Sequence, residues 1–69
     1  MDLQELTAIL NKVNVFIEYL NEYADDIRSI AAAEDGDEEK RDQLEFACDN
    51  ILDAATNLTD AAAYIKRAL

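Results

Sequence analysis

The strongest constraint on this chain is a seven-residue apolar repeat that runs along both sides of a single glycine. Gly36 stands near the middle of the 69 residues, and the chain contains no proline. Apolar residues at every seventh position, with a second series three residues later, form a continuous stripe along one side of an α-helix. A strand would need strict alternation of apolar and polar residues, which neither half of the chain has. The sequence therefore predicts two long helices.

The segment around Gly36 predicts where the first helix ends and the second begins. Glycine favours the position just past a helix and aspartate favours the N-cap, so Glu34–Glu39 contains both signals. Asp2, followed three residues later by Glu5, has the form of a capping box. We expect one domain over residues 1–69, with a helix at about 3–34, a turn at about 35–37 and a helix at about 38–68.

Each predicted helix carries three adjacent apolar phases of the heptad. In the first helix these are the a phase (Leu6, Val13, Leu20, Ile27), the d phase (Ile9, Phe16, Tyr23, Ile30) and the e phase (Leu10, Ile17, Ala24, Ala31). In the second helix they are the a phase (Leu44, Ile51, Leu58, Ile65), an all-alanine d phase (Ala47, Ala54, Ala61, Ala68) and the e phase (Cys48, Ala55, Ala62, Leu69). We expect the a and d phases to form the contact between the two helices.

The two repeats fit one antiparallel register. If facing residue numbers sum to 74, an a residue lies opposite a d residue in every layer, so that Phe16 meets Leu58 and Val13 meets Ala61. The midpoint of this register is residue 37, which falls in the predicted turn. The predicted fold is therefore all-α, an antiparallel and coiled-coil-like two-helix hairpin.

The apolar stripe is wider than one hairpin can cover. Two helices need only two apolar phases at their contact, and each helix here has three. Small domains often complete their cores by oligomerising. We therefore expect two copies to pair into a homodimeric four-helix bundle.

The architecture resembles the homodimeric helical-hairpin bundles typified by the plasmid RNA-binding regulator Rop. The resemblance lies in chain length, a single acidic turn and layers of small against large residues, and it includes no shared motif. It implies a homodimer. It does not imply RNA binding, because the first helix carries only Lys12 and Arg28 as basic residues.

The residue inventory argues against an enzyme. The chain has no histidine, one cysteine, one serine and one glycine, so the residues of a histidine-based catalytic site, a zinc cage or a glycine-rich phosphate loop are missing. Paired carboxylates such as Asp25 and Asp26 fall on outer heptad phases, where they are solvated. Acids around the turn complement the dipole of the second helix. We predict no catalytic residue, no metal site and no cofactor.

The net charge of -10 narrows the class of partner. Nucleic acid and anionic membrane surfaces would repel such a chain, so a basic or apolar protein is the expected partner besides a second copy. The start of the chain lacks a basic segment followed by an apolar run, and Cys48 has no second cysteine to pair with. These features favour a cytoplasmic location.

Two sets of residues on the second helix are candidates for partner binding. The first is a row of carboxylates at three-, four- and seven-residue spacings, Asp42, Glu45, Asp49, Asp53 and Asp60. The second consists of apolar residues outside the a and d phases, Phe46, Leu52 and Tyr64. We predict a small, acidic, non-catalytic protein–protein interaction module. The alternative is an acidic inhibitor or nucleic-acid mimic, of the type made by phages and mobile elements, that blocks a basic enzyme or defence complex.

Overall fold

The computed structural model describes residues 2–34 and 36–69, which form two long helices. Helix α1 spans Leu3–Ala33 and helix α2 spans Glu38–Ala68. The helices pack against each other as a hairpin that measures 54 × 14 × 12 Å between Cα atoms. The predicted all-α hairpin is confirmed. Met1 of the predicted domain and Asp35 of the predicted turn lie outside the described residues.

Both helices begin at the aspartates that the sequence indicates, although within the described residues the capping box of Asp2 lacks its return hydrogen bond to Glu5. The Asp2 carboxylate accepts a hydrogen bond from the Gln4 backbone N–H at 2.9 Å, and the Asp37 carboxylate accepts one from the Lys40 N–H at 3.0 Å. Each bond satisfies one of the free N–H groups in the first turn of its helix. Gly36 has φ +88°, a left-handed conformation that glycine adopts at little cost. The chain therefore reverses direction at its only glycine.

The contact between the helices is built on small side chains. The buried residues of the described chain come from the e phase of both helices: Leu10, Ala24, Ala31, Cys48, Ala55 and Ala62. The a phase is half-buried beside them: Leu6, Val13, Leu20, Ile27, Leu44, Ile51, Leu58 and Ile65. Small residues at every seventh position let two helix backbones approach closely. We call the a and e phases together the inner seam.

The expectation that the a and d phases form this contact is wrong. Phe16 and Tyr23 of the d phase are 53% and 52% exposed, whereas Ala24 of the e phase is completely buried. In α2, Ala47 and Ala54 of the d phase are exposed as well. The helices approach each other at the alanine and cysteine residues of the e phase. Compared with a contact through the a and d phases, each helix is rotated about its own axis, so that the aromatic residues of the d phase lie on the outside.

The axial register agrees with the expected one. The Cys48 thiol donates a hydrogen bond to the Ala24 carbonyl at 3.4 Å and accepts one from the Arg28 guanidinium at 3.6 Å. Cys48 thus lies level with the residues between Ala24 and Arg28, which corresponds to facing residue numbers that sum to about 74. Phe16 and Leu58, which obey the same sum, line one shallow depression.

Polar contacts close the hairpin near its turn. The Arg41 guanidinium donates to the Glu34 carbonyl at 2.6 Å, and the Lys40 ammonium lies 3.1 Å from the Glu34 carboxylate. Arg41 occupies the e phase, one heptad before Cys48, so it continues the inner seam to the end of α1. A cation here also satisfies a carbonyl that follows the last turn of that helix.

Because alanines line the inner seam, replacing one of them with a larger residue should strongly lower the stability of the hairpin. Ala24→Leu should lower the free energy of unfolding by about 1–3 kcal/mol, because Ala24 is completely buried and a larger side chain there has to displace its neighbours. The matched control is Ala63→Leu, at an exposed position of α2. Urea unfolding followed by circular dichroism measures both. Equal stability of the two variants would show that Ala24 does not lie in a buried contact between the helices.

Candidate interaction surfaces

One broad side of the hairpin is apolar over most of its length. It consists of the d-phase residues of both helices apart from Lys40 near the turn, and we call it the open face: Ile9, Phe16, Tyr23, Ile30, Ala47, Ala54, Ala61 and Ala68. The four large members on α1 are 47–54% exposed. Tyr23 is also stacked with Tyr19, with 6.4 Å between the ring centroids. Large apolar side chains left half-exposed in a continuous row are typical of an interaction site.

The geometry of antiparallel helices places both rows on the same side. In each helix the open-face residues lie three positions after an a-phase residue and one position before an e-phase residue. Because the two helices run in opposite directions, equal offsets from the seam point to the same face. The shallow depression of about 300 Å³ lined by Ile9, Lys12, Val13, Phe16 and Leu58 crosses from α1 to α2 on this face.

The opposite broad side is mainly polar. The corresponding flank of α1 carries Thr7, Asn14, Asn21 and Arg28, and that of α2 carries Glu38, Glu45, Leu52, Thr59 and Lys66. Only Leu52 interrupts the polar residues of this side, and it is half-buried. The hairpin is therefore two-sided, with one apolar and one hydrated surface.

The predicted row of carboxylates lies on the outer surface of α2. All five members are exposed: Asp42, Glu45, Asp49, Asp53 and Asp60. The four aspartates occupy heptad phases that point away from α1, whereas Glu45 lies beside them on the polar broad side. Within the described residues none of the five belongs to an ion pair. From Asp42 to Asp60 the row covers about 27 Å at 1.5 Å per residue. The structure thus assembles these side chains on one surface.

The three apolar candidates do not form one patch. Phe46 and Tyr64 are 59% and 68% exposed, but about 27 Å of helix separates them. Leu52 is half-buried on the flank away from the open face. The Arg67 guanidinium lies 5.4 Å from the centre of the Tyr64 ring, so that ring has an intramolecular partner. The open face was missed as a surface because its residues were assigned to the buried contact.

Cys48 lies in the inner seam, away from the surfaces described above. Its thiol is 3% exposed and its hydrogen-bond partners are Ala24 and Arg28. A buried thiol packed among alanines acts as a small core residue. Among the described residues, no three His, Cys, Asp or Glu side chains come together as metal ligands. In the same part of the chain, neither helix is long and apolar enough to cross a membrane.

Comparisons with known proteins gave no match: no family model, curated protein or solved structure is significantly similar to this chain. The candidate surfaces therefore rest on the residues and geometry described above.

Burial of Cys48 predicts slow reaction with a thiol reagent. In native buffer Ellman's reagent should modify Cys48 at least about 100-fold more slowly than the cysteine of a Cys48→Ala, Asp49→Cys variant, because modification of Cys48 requires local opening. The absorbance of the released thiolate gives both rates, and unfolding in urea should make them equal. Similar rates in native buffer would place residue 48 at the surface instead.

Proposed function

We propose that this chain is a non-catalytic protein–protein interaction module that acts as a homodimer. Two copies stack their open faces and so form a four-helix bundle. The observation that carries the proposal is the row of half-exposed Ile9, Phe16, Tyr23 and Ile30 beside an alanine row on the same side of the hairpin. In the bundle these residues become the central core.

The size of the open face supports a second copy as its occupant. The open-face rows are about 32 Å long at 1.5 Å per residue, and with two helices of about 10–12 Å each the face offers about 630–760 Å² per copy. Stable interfaces bury about 600–1,000 Å² per partner. From Ile9 to Ile30 and from Ala47 to Ala68 both contributing rows are unbroken by charge, because every d-phase position in these ranges holds Ile, Phe, Tyr or Ala.

The bundle also accounts for the width of the apolar stripe. The e phase packs inside one hairpin, the d phase packs between hairpins, and the a phase lies between them and contributes to both. Each of the three phases then has a partner. The polar side and the carboxylate row of α2 remain in water, which keeps a chain of net charge -10 soluble.

A charge in the open face should separate the two copies. Phe16→Glu places a carboxylate in the centre of the bundle core and should weaken dimerisation at least about 100-fold, because a buried charge without a partner costs several kcal/mol. Sedimentation equilibrium and the concentration dependence of the melting temperature measure this effect.

Phe46→Glu is the matched control, since Phe46 is similarly exposed but lies on the outer side of α2. It should leave the dimer intact. The proposal fails if the natural chain sediments at micromolar concentration as a fully helical, cooperatively melting monomer, or if the two substitutions weaken association equally.

The second candidate function is an acidic mimic of nucleic acid. The carboxylates of Asp42, Asp49, Asp53 and Asp60 are exposed, carry no ion pair within the described residues and follow one side of a rigid helix. Such a row can occupy a basic groove that normally holds phosphates, and long-range attraction speeds the encounter. The proposed dimer leaves this surface free.

Amide substitutions test the mimic. The chain should displace a fluorescein-labelled DNA duplex from linker histone in low salt. A triple variant of the carboxylate row should lose this displacement: Asp49→Asn, Asp53→Asn and Asp60→Asn. A control triple variant on α1 should keep it: Glu5→Gln, Glu18→Gln and Glu22→Gln. Both triple variants remove three charges, so only the position of the charges differs. Equal displacement by the two variants would show a non-specific effect of net charge and exclude the mimic.

A further inference from the structure

We infer that the two copies in the bundle lie with their turns at opposite ends. This inference rests on the proposed function and specifies the geometry of its partner, a second copy of this chain. Two hairpins can stack face to face about a two-fold axis in only two ways. The axis runs either along the helices, which puts both turns at one end, or across them, which puts the turns at opposite ends.

The first argument is the uneven distribution of charge along the hairpin. Residues 21–53, centred on the turn, form the tip half and contain twelve acidic and three basic residues, a net charge of -9. Residues 1–20 and 54–69 form the open half and contain four acidic and three basic residues, a net charge of -1. Nearly all of the excess negative charge therefore lies in one half of the rod.

Stacking the copies with both turns at one end would place the two tip halves against each other. Packed helices are about 8–10 Å apart, which is close to the screening length of about 8 Å at physiological salt, so this repulsion is only partly screened. With the turns at opposite ends, each tip half faces an open half of charge -1. The last-turn cations Lys66 and Arg67 then lie at the end of the bundle that holds the acidic turn of the other copy.

The second argument is the volume of the core layers. In the register of the hairpin, layers that pair a large a-phase residue with an alanine alternate with layers that pair two large residues. Val13 lies level with Ala61, and the next layer pairs Phe16 with Leu58. The same alternation continues at Leu20 with Ala54 and at Tyr23 with Ile51.

Only one of the two arrangements gives every layer the same number of large and small side chains. With both turns at one end, like layers coincide, so layers of four large residues alternate with layers that contain two alanines. A crosswise two-fold axis at the middle of α1, which is residue 18 of Leu3–Ala33, brings the Phe16 layer onto the Leu20 layer of the second copy and the Val13 layer onto its Tyr23 layer. Every layer then contains three large residues and one alanine. Uniform layers allow native packing density without voids or overpacked sites.

Distances between spin labels on the two copies test the arrangement. The label is placed on a single cysteine in a Cys48→Ala background, a change that matches Ala55 and Ala62 at equivalent seam positions. In the tip variant the cysteine replaces Glu39, and in the central variant it replaces Glu18, both exposed in the hairpin. Double electron–electron resonance measures the distance between the two labels of a dimer.

The expected result is a long distance at the tip and a short one at the centre. With the turns at opposite ends, the Glu39→Cys labels are about 34 residues apart along the bundle, about 50 Å at 1.5 Å per residue. The Glu18→Cys labels lie near the two-fold axis and should be within about 30 Å of each other, as expected for neighbouring helices 8–10 Å apart with label arms on their outer sides.

The two labels separate failure of the geometry from failure of the dimer. A distance within about 30 Å at both positions, as expected for neighbouring helices at one end of a bundle, would overturn the opposite-end arrangement while leaving the proposed dimer intact. The absence of any inter-copy distance at Glu18→Cys would overturn the dimer itself, and the inferred arrangement with it.

Discussion

The close approach of two helix backbones at small side chains is the constraint on which the rest of this structure depends. Ala24, Ala31, Cys48, Ala55 and Ala62 take the innermost positions, where a larger side chain would force the helices apart. Because these small residues face inward, the neighbouring Ile, Phe and Tyr side chains of α1 are rotated outward. The apolar open face is therefore a direct result of how the hairpin packs.

The hairpin could be predicted from the sequence, but the identity of its buried phase could not. The heptad repeat, the single glycine and the midpoint at residue 37 together determine two antiparallel helices and their register. Periodicity gives the width of an apolar stripe, whereas the part of the stripe that faces the first neighbour depends on side-chain size. Large residues such as Phe16 and Tyr23 favoured the d phase as a core on hydrophobicity alone, although the closest approach uses the alanines of the e phase.

The candidate surfaces were predictable to different degrees. The row from Asp42 to Asp60 lies on the outer side of α2 because its heptad phases point away from the other helix, and phase is readable from the sequence. An apolar patch is harder to predict, because it needs residues that are close together in both directions. Phe46 and Tyr64 both lie on the outer side of α2, but they are far apart along the helix axis. The open face of α1 could have been found from the contrast between its e-phase alanines and its d-phase aromatic residues.

The acidic turn has a consequence for the kinetics of folding. All contacts between the helices are nested around Gly36, so the pairs nearest the turn close the smallest loops and have the lowest entropic barrier. The same step gathers Glu34, Asp37, Glu38 and Glu39 into a small volume, where like charges repel. Lys40 and Arg41 offset this repulsion through their contacts with Glu34. Pairing of the helices outward from the turn, which is the fastest route by topology, is thus slowed by electrostatic repulsion. The rate at which this hairpin closes therefore depends on the concentration of dissolved salt.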